Sequence, residues 1–104
     1  MVEKTYVQIL DARDRIRVQF KKDRGKITDF VVQYETLVGE KWQAVVRYDT
    51  AHGRPHTDVI RPDGTKEKRL LHFPNFNDAF SYAEEDVKAN WERYRQRYFQ
   101  EAKK

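Results

Sequence analysis

Within ten residues, Arg47-Tyr48-Asp49-Thr50-Ala51-His52-Gly53-Arg54-Pro55-His56, the chain places two of its three histidines, two arginines and an aspartate. Phosphate chemistry uses these groups. An arginine presents a planar fork of N–H donors to phosphate oxygens, an imidazole moves protons near neutral pH, and a carboxylate orients either one. One metal-free reading is general acid–base chemistry on RNA. There His52 or His56 removes the 2′-hydroxyl proton, Asp49 orients a ring, and Arg47 stabilises the charge that builds around phosphorus. Arg47, Asp49, His52 and His56 are the candidate catalytic residues. Plainer roles are open to the same side chains: an exposed Arg–Asp pair of little energetic weight, and histidines that hydrogen-bond and shape a turn.

A metal reading competes. His52 and His56 form an H-x-x-x-H pair, a spacing that on a helix puts both rings on one face for zinc. Gly53 and Pro55 argue against a helix here, and no glutamate follows His52. A ligand set of His52, His56, Asp49 and Asp58 is the metal alternative. On balance no metal and no other cofactor is expected. Gly53 and Gly64 stand alone, outside any phosphate-cradling glycine pattern. The only serine, Ser81, falls in the first turns of a helix, which argues against a Ser–His–Asp triad.

The elements that must position this cluster are strands. In Arg15–Lys21, Ile16, Val18 and Phe20 alternate with polar residues, the period of a half-buried strand. Lys22-Asp23-Arg24-Gly25 turns the chain, and a second strand runs from about Ile27 to Val38 with Phe30, Val32 and Tyr34 on one face. After Gly39-Glu40, the strand Lys41–Asp49 places Trp42, Ala44, Val46 and Tyr48 on the face toward a helix. Gln43, Val45, Arg47 and Asp49 fall on the other face. His56–Arg61 reads as a fourth strand, Arg61-Pro62-Asp63-Gly64 as a tight turn, and Thr65–Phe73 as a fifth, which contains His72. Thr5–Leu10 is a further strand candidate. Turns every 10 to 13 residues indicate an antiparallel meander.

From Phe76 the period changes. Phe76, Phe80, Ala83, Val87, Trp91, Tyr94 and Tyr98 make one stripe of a helix over about 76–101, with Asn75 or Asn77 as its cap. Such a helix spans about 37 Å. Typical strands cover about 17–20 Å, so one end is expected to overhang the sheet. The expected fold is α+β: a five- or six-stranded antiparallel meander with one long C-terminal helix packed on one face. It forms a single domain over 1–104, with a strand-rich part over 1–73.

The 104 residues are 38% hydrophobic and 37% charged. That is too charged for a membrane protein, while six Tyr, six Phe and two Trp can still build a core. No apolar run reaches a membrane span, the N-terminal residues lack a signal-peptide apolar region, and there is no cysteine. A cytoplasmic location is the default expectation. The net charge of +4 favours polyanionic partners. Arg54, Arg61, Arg93 and Arg97 are candidate nucleic-acid contacts.

The run Arg47 to Gly53, followed by His56, by Arg61-Pro62-Asp63-Gly64 and by Lys88-Ala89-Asn90-Trp91, resembles a family of short, mostly uncharacterised prokaryotic proteins. The resemblance covers about Val31 to Tyr98. The central motif, with its Arg-Tyr-Asp start and downstream histidine, is distantly similar to the TumE-type toxins of toxin–antitoxin modules. This implies a small cytoplasmic protein that acts on RNA or translation, with Arg47, Asp49, His52 and His56 as the positions carried over. Implied partners are RNA and a cognate antitoxin-like protein. The residues leave a second function class open, a non-catalytic module that binds nucleic acid or protein through a basic sheet face or the helix tail. A homo-oligomer joined through the helix or an uncovered sheet edge is a third.

Overall fold

The computed structural model describes residues 1–103, apart from the side chain of His52. Six strands follow one another: β1 (Val2–Asp11), β2 (Asp14–Asp23), β3 (Lys26–Val38), β4 (Lys41–Asp49), β5 (His56–Ile60) and β6 (Lys66–Leu70). A short 3-10 turn, Ala51–Gly53, joins β4 to β5, and the helix α1 (Phe76–Ala102) closes the chain. The strands pair antiparallel in sequence order, a simple meander. The expected α+β architecture is therefore present, with Thr5–Leu10 lying inside a full edge strand. Among the described residues, no helix is long and apolar enough to cross a membrane.

Strict alternation in β2 and β3 builds the covered face. Ile16, Val18, Phe30, Val32 and Tyr34 are buried there against Ala79, Ala83 and Val87 of α1. Small Ala79 and Ala83 let the helix approach closely, while Phe80 meets Phe20 and Phe30 with ring centroids 5.3 and 5.5 Å away. Asn75 caps the helix, its side-chain oxygen accepting from the Asp78 N–H at 2.8 Å. Asn77 has a different task. Its oxygen accepts from the Ile27 N–H and its amide donates to the Gly25 carbonyl, pinning the first turn to the β2–β3 hairpin.

Phenols do much of the docking. Tyr48 and Tyr94 both donate to Asp86 Oδ2, at 2.5 and 2.6 Å, and Asn90 holds Oδ1 of that carboxylate. Tyr34 and Thr36 donate to the buried Asp14. Burial first, and then the neighbouring carboxylates, push the Tyr34 and Tyr48 phenols far above their ordinary value; the same causes raise Tyr94 to about 12.

Three expectations need correction. Trp42 and Ala44 do not face the helix. The β3–β4 register shifts between Tyr34 and Glu35, which pair with Val46 and Ala44, so Val45 is an extra residue in a β-bulge. The bulge buries both Val45 and Val46 and turns Trp42 to the open face, where the Arg15 guanidinium stacks 4.0 Å from its ring. Second, β6 stops at Leu70. Leu70 pairs with His56, the first residue of β5; one further backbone bond, from the Leu71 N–H to the Pro55 carbonyl at 3.0 Å, ends the pairing, and His72 lies exposed in the connection. Third, the helix tail does not hang free. β3 has 13 residues and runs along the helix, and Tyr98 is buried over the β5 end. Arg61 and Arg97 both reach Glu67 and Glu101 there.

Candidate functional site

The site lies on the face of the sheet that the helix leaves open. Antiparallel register sets two cross-strand rows there. One is Arg17, Gln33, Arg47, Asp58 and Lys68; the next is Gln19, Val31, Asp49, His56 and Leu70. Directly opposed residues point to the same face, so the register alone brings Arg47, Asp49, His56 and Asp58 together.

A continuous polar chain links them. Arg15 Nε donates to Glu35 Oε1 at 2.6 Å, and Gln33 Nε2 donates to Glu35 Oε2 at 2.5 Å. Gln33 Oε1 accepts from Arg47 Nη1 at 3.0 Å, and Arg47 Nε donates to Asp49 Oδ2 at 2.7 Å. Asp49 Oδ1 lies 2.8 Å from His56 Nε2 and also accepts from the Ala51 N–H at 3.1 Å. His56 Nδ1 stands 3.2 Å from the carbonyl oxygen of Arg54. A carbonyl oxygen only accepts, so Nδ1 carries a proton. Burial alone pushes the Asp49 carboxyl up. The Arg47 and Ala51 hydrogen bonds and the charges of His56 and Arg47 outweigh it and hold the group below the ordinary carboxylate range.

Although the face is open, its centre is closed to solvent. His56 and Asp58 are 5% exposed and Asp49 is 6% exposed. Asp58 Oδ2 is 3.8 Å from His56 Nε2, and Asp58 Oδ1 has no hydrogen-bond partner among the described residues. An unpaired buried carboxylate oxygen is costly and asks for an explanation.

Beside this centre the sheet forms a notch. Val31 pairs with Asp49, the last residue of β4, so β3 from Lys26 to Phe30 runs on without a β4 partner. Thr50 closes the ladder in place of the strand, its hydroxyl oxygen accepting from the Phe30 N–H at 3.0 Å. The chain then leaves through the 3-10 turn, where Gly53 holds φ +79° and donates its N–H to the Thr50 carbonyl. Between the overhanging hairpin and this turn lies a cleft of about 380 Å³, lined among others by Lys21, Phe20, Thr28, Arg47, Asp49 and Gly53.

The sequence-selected residues thus divide. Arg47 and Asp49 stand at the cleft wall, while His56 lies behind them, with both ring nitrogens facing acceptors. Of His52 only the backbone position falls among the described residues, between Ala51 and Gly53, which line the cleft. Arg61 and Arg97 are held by carboxylates, Arg93 lies exposed with its guanidinium 5.9 Å from the Tyr94 ring, and Arg54 is exposed at a second depression with His72. Gln33 and Thr50 were not singled out from the sequence. Strand alternation carried a signal for Gln33, two residues before Glu35 on the same face. Nothing local marked Thr50 as the partner of Phe30.

Fold and site together define a two-layer α+β protein: a six-stranded meander, one long helix on one face, and a hydrogen-bonded Arg–Asp–His chain on the other. The chain belongs to the family described as Domain of unknown function (DUF7718), whose model matches residues 1–104. No curated protein and no solved structure matches it.

Proposed function

We propose that the protein is RNA-directed and seats a phosphodiester of a single strand in the cleft beside Arg47. The observation that carries this reading is the state of the Arg47 guanidinium. Asp49 holds its Nε and Gln33 holds Nη1, while the side chain remains 38% exposed at the cleft wall. A guanidinium held at two of its three nitrogens and still part-exposed is pre-organised for an oxyanion, because little rotamer freedom is lost on binding. Lys21 supplies a second cation across a cleft of about 380 Å³. That size suits one nucleotide unit.

In this reading Asp49 and His56 are positioning residues. His56 holds Asp49, and Asp49 holds Arg47. His52, on the turn at the cleft lip, is the residue proposed for proton transfer if a phosphodiester is cleaved. The resemblance of the motif to toxin–antitoxin toxins supports RNA as the polyanion and an antitoxin-like protein as partner. Arg61 and Arg97, already engaged with Glu67 and Glu101, make the helix tail the weaker RNA surface.

Fluorescence anisotropy with a short labelled single-stranded RNA at several salt concentrations tests the proposal. Arg47→Ala and Lys21→Ala should each weaken binding and lower the log–log salt slope by about 1. Arg93→Ala should change neither. Wild-type affinity and slope in Arg47→Ala would remove the reading. Expression with and without the genomic neighbour, scored by growth and RNA integrity, tests the toxin-like version, which an undiminished effect of His52→Ala would exclude as catalysis by that residue.

A further inference from the structure

We infer that Asp49, His56 and Asp58 form a buried site for one divalent transition-metal ion. The three side chains each offer a donor atom, and these atoms lie within 4.8 Å of one another. The second, independent observation is Asp58. It is 5% exposed and its Oδ1 has no partner among the described residues, although the side chain sits beside an imidazole.

The ring decides what belongs between these groups. Nδ1 donates to the Arg54 carbonyl, so a singly protonated ring turns the Nε2 lone pair toward two carboxylates. Lone pair and carboxylates repel unless a positive centre lies between them. A proton on Nε2 serves Asp49 at 2.8 Å but leaves Asp58 Oδ2 at 3.8 Å and its Oδ1 unpaired. A metal ion engages all three. Donors about 2.1 Å from a common ion stand about 3.0 to 3.4 Å apart in octahedral to tetrahedral geometry. The observed 2.8 and 3.8 Å bracket that range, so sub-ångström movement brings each carboxylate to ligand spacing from the imidazole.

The surroundings match the outer shell that metal ligands need. A ligating histidine donates its other N–H to a carbonyl, as His56 does to Arg54, and a ligating carboxylate is itself held, as Arg47 Nε holds Asp49 Oδ2. Two carboxylates and one imidazole select a first-row transition ion such as Mn²⁺ or Zn²⁺ over Mg²⁺ or Ca²⁺. The inference shares Asp49 with the cleft but does not rest on RNA binding, and its test contains no RNA.

Isothermal titration of the full chain with Mn²⁺ or Zn²⁺ should show saturable binding of one ion, with Mg²⁺ and Ca²⁺ failing at the same concentrations. Asp58→Asn should weaken it by more than about 100-fold, beyond the loss typical of an outer-shell change. Should that variant fold poorly, the wild type still decides. Zn²⁺ must shift the His56 Nε2 resonance strongly while leaving the His72 ring unmoved. Absence of saturable binding at millimolar ion overturns the site and leaves an imidazolium paired with Asp49. Binding that survives Asp58→Asn, or that leaves the His56 ring unchanged, overturns it equally.

Discussion

Thr50→Val is the sharpest probe of how the cleft is built. Valine matches threonine in shape and branching, so it opens no cavity and removes one thing, the oxygen that accepts from the Phe30 N–H. Thr50 is 6% exposed and Phe30 2%, so water cannot take over the bond. A net hydrogen bond contributes about 0.5–1.5 kcal/mol, and a buried donor left without a partner costs about 1–3 kcal/mol. The second figure governs here, and a loss of about 2 kcal/mol is expected. For a domain of this size that lowers the melting temperature by roughly 8–16 °C. Urea unfolding followed by fluorescence of Trp42 and Trp91 measures it. Hydrogen exchange adds a local reading, because the Phe30 amide should lose protection beyond the global change. Thr50→Ser, which keeps the oxygen, should lose less than half as much. A Thr50→Val protein within about 0.5 kcal/mol of wild type, with Phe30 protection intact, refutes the idea that this hydroxyl replaces the missing strand.

Two further outcomes are expected. Phenols raised by burial and by their carboxylate partners stay protonated in the folded chain at pH values where the unfolded chain has released the proton. Folded-state values above the unfolded value of about 10 therefore contribute stability that is complete below pH 10. It is lost as pH rises through about 12 for Tyr6 and Tyr94. Near-ultraviolet absorbance should show most phenolates appearing together with loss of circular dichroism, and all six forming by about pH 11 in a folded chain would contradict this. Gly53→Ala meets open space but must hold φ +79°, so it should cost about 1–2 kcal/mol in urea unfolding, by backbone strain alone. A loss well beyond 3 kcal/mol would mean that the turn makes contacts the structure does not contain.

The sequence by itself determined what depends on short-range periodicity. Ile16, Val18 and Phe20, then Phe30, Val32 and Tyr34, each share a face because side chains alternate along any extended chain. The stripe from Phe76 to Tyr98 faces one way because 3.6 residues make a turn, and Gly25, Gly39 and Gly64 mark turns because each holds a positive φ. The pairing of Arg47 with Asp49 was legible for the same reason.

Tertiary structure decided the rest, and the reason is register. Nothing near Val45 announces a bulge; it arises from how β4 meets β3, and it sends Trp42 to the face opposite the one alternation assigns. The turn at residues 50–55 sets β5 against β4 so that His56 lies across from Asp49 and Asp58 across from Arg47. That offset makes a buried acid–imidazole centre out of residues that local spacing assigned to two separate strands. Arg61 and Arg97, solvent-facing by periodicity, meet Glu67 and Glu101 only because β6 and the helix tail converge. Spacing along the chain brought phosphate-binding and metal-binding residue types into one short run. Only cross-strand pairing placed Arg47 at a cleft and His56 behind it, with an unpartnered Asp58 oxygen at its side.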